Sequence, residues 1–102
     1  MASIADLRDV PEDIRRDVAR GVDILRNGGC SEVYVFGSVA EGRAHPHSDI
    51  DFAVRGCPAS GFFKLQGRLL VELARSADLV DLDADPDLAA FLEREAVLIH
   101  VG

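Results

Sequence analysis

The chain has 102 residues, 48% hydrophobic and 28% charged, which suits one domain with a single core. Asp and Glu outnumber Lys and Arg by 18 to 11, and the net charge of −7 leaves no basic footprint for long nucleic acid. No apolar stretch approaches the ~20 residues of a membrane span, and the acidic N-terminus lacks a secretory h-region, so a cytoplasmic protein without a membrane partner is expected.

Asp9-Val10-Pro11-Glu12-Asp13 reads as a helix start, with Pro11 in the first turn and two acids at the positive end of the helix dipole. Ile14, Val18, Val22 and Leu25 recur at helical spacing, Ile24 widens the stripe, and Arg15, Arg16 and Arg20 fall on the wet side. Asn27-Gly28-Gly29 stops the helix. Cys30 and Cys57 are the only cysteines, 27 positions apart and without CxxC spacing. In a reducing compartment they are expected as two buried or half-buried thiols rather than a disulfide or metal ligands.

Glu32 to Phe36 (EVYVF) is β-branched and aromatic, hence a strand, and Gly37-Ser38 ends it. A helical turn over 38–41 and a loop follow, because Pro46 forbids a long helix. Asp49 to Val54 is the second strand. From Ser60 to Ser76 the pattern becomes helical, with Phe62 or Phe63, Leu65 or Gln66, Leu69, Leu70, Leu73 and Ala74 as one apolar face. Ala77 to Leu82 is a third strand, Asp83 to Glu95 opens and carries another helix, and Val97 to Val101 is a last short strand. The order describes a layered α+β domain spanning residues 1–102, a small mixed sheet packed against helices.

The chemistry concentrates in GSVAEGRAHPHSDIDFAV, Gly37 to Val54. On a strand, residues i and i+2 share a face ~6.5–7 Å apart, so Asp49, Asp51 and Ala53 project one way and Ile50, Phe52 and Val54 the other. The apolar set belongs against helices, which leaves two carboxylates together with no neighbouring cation. A divalent metal is their natural counterion, and Mg²⁺ takes one or two carboxylates plus water and phosphate oxygens. Gly37 lets backbone approach a phosphate, and Ser38 adds a hydroxyl.

Strand, Gly-Ser, ten residues and Asp-x-Asp resembles the GS-x10-DxD signature of the polymerase β-type nucleotidyltransferase superfamily in its minimal, stand-alone form. The resemblance runs from about Ile14 to His100, with ADLVDL in the place of the family's third carboxylate strand. It implies the polymerase β-type fold and transfer of a nucleoside monophosphate, usually AMP from ATP, to an acceptor hydroxyl. Asp49, Asp51 and Asp78 would be the catalytic, metal-holding carboxylates for two Mg²⁺ ions, and Gly37 and Ser38 would hold the β- and γ-phosphates. Asp81 is the alternative to Asp78.

Many such relatives carry cations immediately after the Ser and two positions later, where this chain has Val39 and Glu41. Arg43 is the candidate substitute, with a plain surface charge as the other reading. His45 and His47 could ligate metal or read phosphate, or be solvated loop residues. Tyr34 is expected as a core aromatic with a wet hydroxyl, Phe62, Phe63 and Phe91 in the core, the Asp83, Asp85 and Asp87 cluster at a helix N-terminus, and His100 without a partner. Resemblance to the family also implies a small helical HEPN protein as partner, the chain acting as an antitoxin that adenylylates its toxin. The alternatives are a catalytically weak binding protein that neutralises or assembles with another protein, and a small-molecule nucleotidyltransferase.

Overall fold

The structure, a computed structural model, describes residues 7, 10 to 45 and 47 to 102. Asp9 and Pro46, which enter the expectations above, lie outside the described residues. The elements run α1 (Glu12–Asn27), β1 (Glu32–Phe36), α2 (Gly37–Ala40), β2 (Ile50–Arg55), α3 (Phe62–Glu72), β3 (Ala77–Asp81), α4 (Pro86–Glu95) and β4 (Ile99–His100). A 3₁₀ turn, Ala59–Gly61, leads into α3.

The four strands form one mixed sheet in the order β3-β2-β1-β4. β1 is antiparallel to β2 and β4, while β2 and β3 are parallel, the helical crossover α3 returning the chain to the same end. One face carries Ile50, Phe52 and Val54 of β2 with Ala77 and Leu79 of β3, packed with Ile14, Val18 and Leu25 of α1 and Leu65 and Leu69 of α3. The opposite face carries Ala53, which packs against Leu82 and against Ala89 and Leu92 of α4. Alternation in β2 is therefore read correctly from the sequence, and the sheet is covered on both sides except where Asp51 and Asp78 emerge.

Where α1 crosses the sheet, Gly21 leaves room for the Phe52 ring, which a Cβ would strike. Asp17, buried under the start of β3, accepts from the Ala74 N–H at 3.3 Å and pairs with Arg75 at 3.0 Å, tying α1 to the α3–β3 connection. Asp85 caps α4 by accepting from the Leu88 N–H at 3.0 Å, with Pro86 and Asp87 in the first turn, as expected, whereas Asp83 accepts from the Gly56 N–H at 2.7 Å and pairs with Arg55 at 3.2 Å.

Three expectations are corrected. Cys30 and Cys57 are joined as a disulfide. The β1–β2 ladder pairs Glu32 with Arg55, and carrying that antiparallel register outward by two residues sets Cys30 opposite Cys57. Phe63 and Leu70 point away from the core because α3 carries apolar residues on more than one side and only one stripe can face the sheet; Ala74, beyond the end of α3, and Phe91 on α4 are also exposed. His100 has partners, stacking on Tyr34 with ring centroids 5.0 Å apart and bonding through Nε2 to the Gly102 carbonyl at 2.9 Å. Tyr34 itself is half-buried with its hydroxyl on Glu32, so only its ring belongs to the core.

Candidate active site

The β-sheet register builds the site. Asp51 is paired laterally with Phe36, the last residue of β1, and with Asp78 on β3. Parallel in-register neighbours on one face stand side by side, so Asp51 and Asp78 share the α4 side of the sheet. Asp81 is paired with Val54 at the other end of β3, and its carboxylate accepts from the Asp83 N–H at 2.9 Å in the following turn. Of the two alternatives, Asp78 is the one brought to Asp51.

Asp51 is half-buried, and its pKa is raised from the usual carboxylate value. Burial is the largest cause, followed by the negative charges of Asp78 and Asp49, and by a hydrogen bond shared with Asp78. Asp78 and Asp49 thus stand near enough to Asp51 to disfavour its ionisation.

Gly37 is what admits the Asp51 carboxylate. Its φ of +72° lies in the left-handed region, and a Cβ on it would overlap Oδ2 of Asp51. The bend between β1 and α2 and the acidic strand are therefore built against each other. The loop that follows is held by the Arg43 N–H bonding to the Ser38 carbonyl at 2.9 Å. Buried Ser48 then clasps His45 twice, its Oγ accepting from the His45 N–H at 2.8 Å and its own N–H donating to the His45 carbonyl at 2.9 Å. Ser48 was not singled out from the sequence; a serine just before Asp49 carries no periodic signal, and only the loop closure reveals its task.

An open cleft of about 420 Å³ lies here, walled by Ser38, Arg43, His45, His47, Ser48, Asp49 and Asp51. Asp78 is the β3 neighbour of Asp51. Ser38, Asp49, Asp51, Arg43 and both histidines are thus brought together, with Gly37 at the bend. The substitutions noted in the sequence have structural consequences. Val39 is a core residue rather than a surface position, and Glu41 pairs with Arg43 at 3.3 Å. The one arginine of the cleft is therefore partly neutralised by its neighbour.

Oxygen donors of this kind suit a hard divalent cation, which takes carboxylates together with phosphate and water oxygens. Among the described residues no three His, Cys, Asp or Glu side chains enclose an ion by themselves. Mg²⁺ is held by one or two carboxylates with substrate phosphates rather than by an all-protein cage, so Asp49 and Asp51 fit it with a triphosphate completing the shell.

Residues 22–101 match the family described as Polymerase beta, Nucleotidyltransferase. The chain belongs to that family. No curated protein matches it. Among solved structures, a minimal nucleotidyltransferase is 29% identical with a TM-score of 0.65, covering 84% of this chain and 92% of that one. A chain of a toxin–antitoxin crystallised with AMP-PNP is 26% identical with a TM-score of 0.62, covering 81% of this chain and 69% of that one. A chain of the MntA–HpeT toxin–antitoxin carrying a Y104A substitution is also 26% identical, with a TM-score of 0.61 over 80% of this chain and 70% of that one. The fold is thus that of minimal nucleotidyltransferases, a group that includes chains of toxin–antitoxin pairs.

Proposed function

We propose that this protein transfers AMP from ATP to an acceptor hydroxyl, with Mg²⁺ held by Asp49, Asp51 and Asp78. The observation that carries the reading is the in-register pair Asp51 and Asp78 beneath a glycine that leaves room for the Asp51 carboxylate. Bound Mg²⁺ supplies charge neutralisation at the triphosphate and at the attacking oxygen. The Gly37 backbone and the Ser38 hydroxyl orient the β- and γ-phosphates, and Arg43 faces the same cleft. As the acceptor oxygen bonds to the α-phosphorus, the bond from that phosphorus to the bridging oxygen breaks and pyrophosphate leaves. Asp78, beside the reacting centre and repelled by Asp51, receives the acceptor proton.

The described residues are taken up by the sheet, its helices and the cleft, and the acceptor is proposed to reside on a partner. Similarity to chains of toxin–antitoxin structures supports a toxin partner of the small helical HEPN class, modified on a hydroxyl side chain. Incubation of the protein and that partner with ATP and Mg²⁺, the label carried on the α-phosphate in one sample and the γ-phosphate in another, tests the reading. α-Label on the partner supports it; γ-label, or no transfer by a folded protein, refutes the activity.

A second reading, a binding partner with little catalysis, is favoured by one specific observation, the Glu41–Arg43 pair that weakens the cationic side of the cleft. Complex formation without α-label transfer would select it.

A further inference from the structure

The least explained surface of the molecule is the outside of α3. Phe63, Leu70 and Val71 are 81%, 62% and 84% exposed, and with Gly67 they recur at helical spacing along one stripe. Leu65 and Leu69 already fill the core side. A helix apolar on both sides is one whose second face meets another surface.

Gly67 points the same way. Glycine is the poorest helix former after proline, and here nothing in the fold requires it, since no atom lies within 4 Å of where its Cβ would stand. Its backbone at mid-stripe lets another element come close.

Charge decides the kind of occupant. The chain is acidic overall, with residues 77–95 holding seven carboxylates against Arg94 alone. The flank of the stripe is instead basic: Lys64 is exposed, and Arg20 and Arg68 share the single carboxylate of Glu72 at 2.6 and 2.8 Å. Two copies paired antiparallel through this stripe would set Lys64 and Arg68 against their own counterparts, and paired in parallel would leave them opposite Gln66. Neither satisfies the cations. An anionic lipid surface would repel the molecule through its net charge of −7.

We propose that the outer face of α3 docks an apolar helix face of a partner protein whose flank is acidic. This rests on complex formation, which both readings of the proposed function share, and assigns a holding surface on the side of the sheet opposite Asp51; a hydroxyl that accepts AMP would be presented to the cleft by another part of the partner. Docking there leaves the nucleotide cleft open.

The test uses the purified helical partner and variants of this chain that are exposed and outside the cleft. Val71→Glu is expected to keep the melting temperature and the stabilisation by Mg²⁺ and ATP while raising the Kd for the partner roughly 30-fold or more, as loss of a central contact does. Gly67→Ala is expected to raise the melting temperature and still weaken the complex. Lys64→Glu is expected to slow association and flatten its dependence on salt. Unchanged partner affinity in Val71→Glu and Gly67→Ala overturns the docking face and leaves the enzymatic reading standing. Sedimentation showing a wild-type dimer dispersed by Val71→Glu, or binding to phosphatidylserine vesicles lost in that variant, assigns the face to another occupant and equally overturns it. Absence of any wild-type complex removes the partner reading and this inference together.

Discussion

Asp51 and Asp78 stand opposite one another on adjacent parallel strands, where burial and the neighbouring charge of Asp78 hold the Asp51 carboxyl above its usual range. Asp49 adds a third negative charge from the N-terminal side of β2. The site is consequently a place where the folded chain holds electrostatic strain in the absence of a cation, a frequent relation between active sites and stability.

The sign of the resulting pH dependence follows from the raised pKa of Asp51. A carboxyl whose folded pKa lies above its unfolded value binds its proton more tightly in the folded state. Its favourable contribution is fully present below the ordinary value of 3.8 and is lost as pH rises through the folded pKa. Melting temperature without divalent ions is expected to fall over that window, and Mg²⁺ with ATP is expected to abolish the fall. Asp51→Asn should remove the same dependence and raise the metal-free melting temperature at pH 7.

Gly37→Ala tests the bend from the other side. A left-handed residue with a Cβ is destabilised by about 1–2 kcal/mol, and here the methyl group would also displace the Asp51 carboxylate. Lower thermal stability is expected together with loss of the response to Mg²⁺ and ATP. Gly42 provides the control: its φ is also positive, but nothing lies near a Cβ there, so Gly42→Ala should lose stability while keeping most of the nucleotide response.

Glu41→Gln should free Arg43 for phosphate. Both side chains are substantially exposed, so the effect is bounded by the ~0.2–1 kcal/mol of a surface ion pair. ATP affinity measured calorimetrically is expected to improve by about two- to fivefold, with a steeper loss on adding salt.

The disulfide contributes to folding rather than to the reaction. Cys30–Cys57 closes a loop spanning 27 positions that contains β1, α2 and β2, and the chain-entropy relation assigns such a closure about 3.5 kcal/mol. A Cys30→Ala, Cys57→Ala variant should melt well below the oxidised protein, and reduction of the wild type should reproduce most of that loss. Nucleotide affinity below the melting transition should be unaffected, since the bridge lies at the opposite end of β2 from Asp51.

The order of elements was legible because each segment carries its own period and its own stop. EVYVF ends at Gly37, and Asn27-Gly28-Gly29 separates it from the preceding helix. The placement of Asp49 and Asp51 opposite Ile50, Phe52 and Val54 followed from strand alternation alone. Facts that depend on pairing between strands were less accessible. The Cys30–Cys57 bridge needs the β1–β2 register, and the lateral pairing of Asp78 with Asp51 needs the β2–β3 register, although the sequence already favoured Asp78 over Asp81. The inner face of α3 was misread for a different reason: Phe62 and Phe63 offer the core equal apolar character, and only packing distinguishes them.

Electron paramagnetic resonance of Mn²⁺, substituted for Mg²⁺ and titrated with ATP and protein, addresses the carboxylate cluster most directly. The wild type is expected to immobilise Mn²⁺ beyond what ATP alone binds, and an Asp51→Asn, Asp78→Asn variant that folds normally is expected to lose that excess. Equal immobilisation by the two proteins would contradict the assignment of these residues to the metal.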